Sequence, residues 1–387
     1  MSSLRLLSAA ALALALAAPA AQAEPGVTPD SIAFAQVAAL DGPAAALGIG
    51  MREGMLAAFE EANAKGGVFG RKLSLESFDD GYEPDRSVSH VKALIAGGAH
   101  FGLIGAVGTP TSKAVQPATT EAKIPMIGPF TGAGFLRDAA LGNVWNLRAP
   151  YSAETEAWIA HLVDGLGMKN IAILYQDDGF GRVGLDGVEA ALKRRGMELV
   201  GRGSYTRNTT AVKAALLDIK RAKPEAVVMV GAYKPIAAFI KLAKKVKMDA
   251  TFVNISFVGS KALAGELGDD GEGVIISQVV PFPWDASLPA VAAYQAAMKA
   301  VNADAEPGFV SLEGYLVGRM AIAALEAAGP DLTRESFLTA FSTLSVLDLG
   351  GVEIKFSPTD NQGVDDVFLT RIRADGTFEP VTVGSGT

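Results

Sequence analysis

From Ile32 onward, short apolar runs alternate with stretches whose apolar residues recur at helical spacing. The pattern predicts a strand over Ile32–Ala38, a helix over Ile49–Asn63, a strand over Lys72–Phe78 and a helix over Asp85–Ile95. Strand Phe101–Ile104, helix Ser112–Ala122 and strands Met126–Ile127 and Val144–Leu147 follow. A second set opens with helix Ala153–Leu166, strand Ile171–Tyr175, helix Arg182–Arg194 and strand Glu198–Gly203. It continues through helix Thr210–Arg221, strand Ala226–Val230, helix Pro235–Val246 and strand Thr251–Asn254. Strands alternating with helices imply parallel sheets covered on both faces, and two successive sets imply two similar doubly wound α/β domains. The break falls near Arg148-Ala149-Pro150, where Pro150 disfavours continuing the strand. Another strand, Gly273–Val279, leads into Val280-Pro281-Phe282-Pro283. Helices Leu288–Val301, Val310–Ala328 and Arg334–Phe341 and strand-like runs Val352–Phe356 and Val367–Ile372 complete the chain.

The start of the chain has a different pattern. Arg5 precedes an apolar run, Leu6 to Ala18, then Pro19 and the small-residue triplet Ala21-Gln22-Ala23. A charged start, a short apolar stretch and an A-x-A site predict a signal peptide over 1–23, cleaved after Ala23. No later segment is apolar for long enough to suggest a membrane span. The formal net charge of −8 gives no electrostatic footprint for nucleic acid. There are no cysteines, which excludes disulfides, thiolate metal sites, cysteine nucleophiles and a lipidated cysteine anchor. The expectation is a freely diffusing exported protein in the periplasm.

Little in the sequence suggests catalysis. Gly179-Phe180-Gly181-Arg182-Val183-Gly184 fits G-x-G-x-x-G after a predicted strand, but its first glycine follows Gln176-Asp177-Asp178 rather than forming the tight turn. The next strand ends at Val200-Gly201-Arg202-Gly203 without an acid for a ribose, so the glycines read as a loop that starts a helix. Asp79-Asp80 could serve as an acid–base pair, or mark a turn before Gly81. His90, His100 and His161 are scattered, and neither a metal nor a cofactor is expected. The informative stretches are the loops at strand C-termini, where open parallel sheets bind ligands. They read Leu40–Pro43, Ala106–Ser112 and Gly128–Gly132 in the first set, and Gln176–Gly181, Gly231–Pro235 and Ile255–Gly259 in the second. Hydroxyls and free N–H groups at helix starts suit a carboxylate, with Phe130, Phe180 and Tyr233 as apolar walls. Alternatively, Thr109, Thr111 or Ser112 simply caps the helix that begins there.

Several of these strings carry a family resemblance. Leu40-Asp41-Gly42-Pro43, Glu61-Ala62-Asn63-Ala64-Lys65-Gly66-Gly67-Val68, Phe78-Asp79-Asp80-Gly81, Leu103-Ile104-Gly105, Ile127-Gly128-Pro129 and Tyr175–Gly181 resemble the leucine/isoleucine/valine-binding family of type I periplasmic binding proteins. The resemblance covers nearly all of the chain after Ala23. It implies two Rossmann-like doubly wound lobes joined by a three-crossover hinge and closing on a ligand. The crossovers would fall near Arg148–Pro150, Val279–Pro281 and Gly350–Glu353. Lobe 1 would comprise 24–148 and 281–349, and lobe 2 would comprise 150–278 and 353–384. The family's common disulfide would join the positions of Tyr82 and Gly108, and neither is cysteine.

The resemblance also implies site residues. Thr109 would take the place of a serine that holds an α-carboxylate. A threonine near Gly132 would be its partner, and Thr131 sits one place early. Tyr233 would close from lobe 2, with Phe180 at another aromatic position and Leu47 and Phe309 at side-chain-pocket positions. The acid that accepts an α-ammonium would fall at or beside Ser256, where the sequence has none, and Asp178 is the candidate substitute. Leaving an ammonium unpaired would cost on the order of 2–5 kcal/mol, so an aromatic or keto acid competes with a branched-chain amino acid as the ligand. The implied function is substrate capture for an ABC importer, with inner-membrane permease subunits as partners and the protein itself a monomer. The alternatives are a periplasmic ligand sensor of the same fold and, more distantly, a nucleotide-dependent enzyme.

Overall fold

The computed structural model describes residues 24–344 and 346–381. The expected signal peptide 1–23 and residues 382–384 of the expected second lobe lie outside the described residues. In chain order the first half runs β1 Ser31–Ala38, α1 Ala45–Ala64, β2 Lys72–Asp79, α2 Pro84–Gly97, β3 Gly102–Ile104, α3 Thr109–Glu121, β4 Met126–Ile127 and β5 Val144–Trp145. Next come α4 Tyr151–Ile159, β6 Ile171–Gln176, α5 Gly179–Lys193, β7 Gly201–Tyr205, α6 Lys213–Arg221 and β8 Ala226–Val230. They are followed by α7 Tyr233–Lys245, β9 Thr251–Asn254, α8 Ser260–Leu267, β10 Ile275–Gln278, α9 Pro289–Val301, α10 Phe309–Ala328 and α11 Arg334–Thr343. The short strands β11 Val346–Asp348, β12 Glu353–Lys355, β13 Phe368–Ile372 and β14 Phe378–Pro380 end the chain. The helix expected over Ala153–Leu166 is α-helical only to Ile159 and widens to a π-helical stretch over Ala160–Gly165.

Two sheets organise these elements into two lobes. The first is wholly parallel in the order β2-β1-β3-β4-β5, and the second runs β14-β13-β10-β9-β8-β6-β7. Taken in chain order, β6 to β10 repeat the arrangement of β1 to β5, the doubly wound order whose switch point lies between the first and third strands. β13 and β14 extend the second sheet in antiparallel register. Strand β8, Ala-Val-Val-Met-Val, is buried throughout, as a parallel strand with helices on both faces requires. Among the apolar residues of β1, buried Gln36 donates through Nε2 to the carbonyls of Gly48 and Gly105 and accepts from Ser77 Oγ at 2.9 Å. It thereby holds α1 and the turn after β3 to the carboxyl end of the strand.

The chain passes between the sheets three times. It leaves β5 through Arg148-Ala149-Pro150 into α4, and leaves β10 through 279–288 to α9. The third passage comes later than the expected Gly350–Glu353. Gly363 and Val364 donate backbone N–H bonds of 2.9 Å to the carbonyls of Asn146 and Leu147, so the segment after β12 still lies along the first lobe. Buried Asn361 pins it there by donating to the carbonyls of Leu136 and Val144. The crossing itself spans only 365–367.

Helices α1 and α10 cross at backbone contact on the first lobe. A Cβ at Gly54 would lie 1.9 Å from the Ser311 carbonyl oxygen, and one at Gly314 would lie 2.3 Å from that of Met51. Neither obstacle is a side chain that could swing aside. Gly54→Ala should therefore destabilise the protein by about 1–3 kcal/mol in urea unfolding. Gly265→Ala, exposed in α8 with nothing within 4 Å, should stabilise it by up to about 1 kcal/mol.

Candidate functional site

The loops at the carboxyl ends of both sheets face one another, with α3 of the first lobe against α5 of the second. Asp79 and Asp80 shape these loops. Asp79 Oδ1 accepts N–H bonds from Leu40, Asp41 and Gly81. Desolvation pushes its carboxyl up, but those bonds and Arg86 together hold it below its ordinary value. Asp80 accepts from Tyr82 N at 2.8 Å and Ser87 Oγ at 2.7 Å. The pair acts as the turn device, with its oxygens directed at the protein's own donors.

No side chain caps α3. Its N-cap is Gly108 at φ 107°, which makes no side-chain cap bond. The Thr109 hydroxyl instead meets the Thr131 hydroxyl at 2.6 Å, and Thr111 Oγ1 donates to the Val107 and Gly108 carbonyls. Ser112 Oγ is buried without a partner. Gly132 lies against Tyr151, where a Cβ would come 2.7 Å from the backbone nitrogen. Thr109, Thr131 and Gly132 are thus brought together, and all three are buried.

Beside them the lobes meet through aromatic rings. Phe257 of the second lobe lies 5.3 Å from Phe130 and 5.9 Å from Tyr82 of the first, and 4.7 Å from Phe180 of its own lobe. Phe180 also packs on Tyr151 at 5.5 Å. Leu47 abuts Gly259, and the Ala46 N–H donates to Tyr233 Oη at 3.4 Å. At the two positions that the resemblance links by a disulfide, the Tyr82 ring lies directly on Gly108: a Cβ there would be 2.3 Å from Cε2. Phe309 is placed differently, in a second aromatic group with Phe282, Trp284 and Phe378 at 5.9, 5.6 and 5.8 Å.

The charged groups depart most from expectation. Asp178 caps α5 by accepting from Phe180 N at 2.9 Å, and its other oxygen accepts from Gln176 Nε2 and Arg207 Nη1. Its carboxylate is therefore committed within its own lobe. Arg207 continues across to Glu83 at 2.8 Å, and Asn208 donates to Glu83 and to the Gly81 carbonyl. Ser256 does have a carboxylate beside it: Glu154 of α4 accepts its N–H and Oγ at 2.8 Å each, and accepts Ser277 Oγ as well. Arg148 forms a buried two-bond pair with Glu313 of α10, through Nε at 2.8 Å and Nη2 at 3.0 Å. Its guanidinium carbon stands 4.2 Å over the Phe130 ring. Burial works against its charge, but Glu313, Tyr151 and Glu154 outweigh burial and raise its pKa.

The glycines of Gly179–Gly184 serve packing. A Cβ at Gly181 would lie 1.8 Å from the Gln176 carbonyl oxygen, and one at Gly184 would strike Val230. The N-terminus of α5, where a phosphate would dock, is held by Asp178. The sequence alone assigned no binding role to Tyr82, Arg148, Tyr151, Glu154, Phe257 or Glu313. One usable signal was an acid inside the most apolar helix, Glu313 in Phe309–Ala328. Another was an arginine closing the apolar run Val144–Leu147. A surface cavity of about 900 Å³ lies at the far end of α3, against Thr120, Asn143, Trp145 and Arg334, and shares no residue with this cluster.

Comparison with known proteins agrees with this architecture. The family model for periplasmic binding proteins matches residues 31–377. The Leu/Ile/Val-binding protein BraC3 of Rhizobium johnstonii is 27% identical over 341 residues, covering 87% of this chain and 88% of that protein. The leucine-, isoleucine-, valine-, threonine- and alanine-binding protein of Pseudomonas aeruginosa is 25% identical over 309 residues, covering 78% of this chain and 79% of its own. The crystal structure of a possible leucine/isoleucine/valine-binding protein from Rhodopirellula baltica superposes with a TM-score of 0.87 at 36% identity, covering 94% of this chain and 98% of that one.

The buried pair at the first crossover should matter far more than a surface pair. Glu313→Ala leaves Arg148 charged and buried and should cost about 3–5 kcal/mol. Lys65→Ala, which removes an exposed helical pair with Glu61, should cost less than about 1 kcal/mol. Denaturant unfolding of the two variants measures the contrast.

Proposed function

The chain belongs to the leucine/isoleucine/valine-binding family of type I periplasmic binding proteins, and from that premise we propose that it captures a small carboxylate-bearing solute for an ABC importer. The solute is held between lobe 1, 24–148 with 281–364, and lobe 2, 150–278 with 368–381, the third crossing falling at 365–367. The closed form is presented to permease subunits in the inner membrane. The observation that carries this reading is the meeting, at one buried point, of loops from the carboxyl ends of both sheets. Thr109 at the start of α3 meets Thr131 of the loop after β4, which also carries Gly132. From the other lobe Phe257 packs on Phe130 and Phe180, with Ser256 beside it in the chain and Tyr233 meeting Ala46. Hydroxyls at an uncapped helix start suit a carboxylate, and the aromatic faces suit an apolar side chain. The named ligands of the two curated relatives are branched-chain and small amino acids, which satisfy this description. An aromatic or keto acid satisfies it too.

Native mass spectrometry of the purified protein should reveal a co-purified carboxylate. Small-angle scattering should then show a smaller radius of gyration with that ligand than without it, whereas identical profiles at saturation would remove the closing mechanism. Arg207→Ala severs the Arg207–Glu83 contact between lobes, a partly exposed pair worth about 1 kcal/mol or less. It should weaken ligand binding up to about five-fold by that arithmetic. For export, the periplasmic product should begin at Glu24. A full-length cytoplasmic product starting at Met1 would refute the cleavage site.

A further inference from the structure

Among the described residues, buried polar atoms at the lobe junction without a hydrogen-bond partner include Arg148 Nη1, Tyr151 Oη, Ser112 Oγ and Arg207 Nε. Buried donors are nearly always satisfied, so such a group asks for a partner from outside the chain. Two of these, Arg148 and Tyr151, stand three residues apart at the first crossover, and each is held rigidly. Arg148 spends Nε and Nη2 on Glu313 and lays its face on Phe130, which leaves only the Nη1 edge to donate. Tyr151 is fixed by Phe180, whose ring lies 5.5 Å away, and by Gly132, whose carbonyl accepts its N–H at 2.8 Å. A guanidinium edge and a phenol at one crossover, with the Thr109–Thr131 hydroxyl pair in the loops flanking Phe130, suit the planar, two-oxygen geometry of a carboxylate.

The acids at the same junction are all engaged. Glu154 accepts three donors from Ser256 and Ser277, Asp178 accepts three from Phe180, Gln176 and Arg207, and Glu313 holds Arg148. An arriving ammonium would have to break one of these sets before it gained a counter-charge. Extending the importer reading, on which this inference rests, we propose that Arg148 and Tyr151 receive the ligand's carboxylate, and that the ligand is a hydrophobic carboxylate with no α-ammonium. Phe130, Phe180 and Phe257 supply the apolar contact, and Glu154 orders the Ser256 loop.

Calorimetry with four probes tests this: leucine, 4-methyl-2-oxopentanoate, phenylalanine and phenylpyruvate. Each oxo acid should bind at least about ten-fold more tightly than its amine counterpart, because only the amine disturbs a satisfied acid. Tyr151→Phe removes one oxygen and keeps the ring, and should weaken the better oxo acid about ten-fold or more without lowering the melting temperature. Arg148→Lys should weaken it further; if that variant does not fold, Tyr151→Phe decides alone. The proposal is overturned by unchanged oxo-acid affinity in Tyr151→Phe, or by tighter binding of leucine that is lost in Glu154→Gln, which would make Glu154 an ammonium acceptor. Failure of all four probes also overturns it. If a co-purified ligand of another class still compacts the protein in scattering, the importer reading stands and only this inference falls.

Discussion

The buried ion pair between Arg148 and Glu313 is the interaction on which the lobe junction depends. Arg148 stands where the chain leaves the first sheet, and Glu313 stands in α10, the helix in backbone contact with α1. Separating them would leave a bare charge in the interior, so the exit of β5, α10 and α1 are held in one fixed relation. The start of α1 in turn carries Leu47 to Gly259 of the opposite lobe. Because both hydrogen bonds to Glu313 come from one edge of the guanidinium, its face is left for Phe130 and its remaining edge for the junction.

Around that pair, the doubly wound order of each sheet decides where chemistry can gather. Between β1 and β3, and again between β6 and β8, the crossovers leave in opposite directions, and a crevice opens beyond the carboxyl ends of the strands. Buried polar side chains set the loops that border the crevice. Gln36 and Asp79 serve the first lobe, and Asp178 caps the corresponding helix of the second. The lobes contribute unlike surfaces. The first brings the hydroxyls of Thr109 and Thr131, and the second brings Phe257 and a serine-bound glutamate. Contact between them is mostly aromatic, with charged straps from Glu83 to Arg207 and Asn208 and from Lys261 to Glu306.

The absence of cysteine shows how one site can be stabilised by different means. Tyr82, at positive φ, lays its ring on Gly108 and reaches Gln176 across the junction at 3.4 Å. A residue with a Cβ at Gly108 would collide with that ring, so the two positions are matched to each other. The contact joins the turn after β2 to the start of α3, and van der Waals packing does so without a covalent link.

The sequence by itself determined what depends on local periodicity. The βα units, their parallel sheets, the strand-end loops that face the cleft and the first crossing at Pro150 can all be read from runs such as Ala226–Val230 and from the glycines and prolines between them. It missed α8, whose short Ser260–Leu267 run carries too few turns to stand out, and the short strands β11 and β14. Only the tertiary structure decided the partners of the charged residues. An acid appeared to be missing at Ser256 because the sequence shows only neighbours in the chain, whereas Glu154 arrives there from α4. Asp178 looked free until α5 and Arg207 claimed its oxygens, and Phe309 went to a different aromatic group. The third crossing moved because Asn361 buries itself against the first lobe. Helix and strand periods are properties of a few consecutive residues, but a buried charge is satisfied by whatever the fold brings within about 3 Å of it, wherever that group lies in the chain.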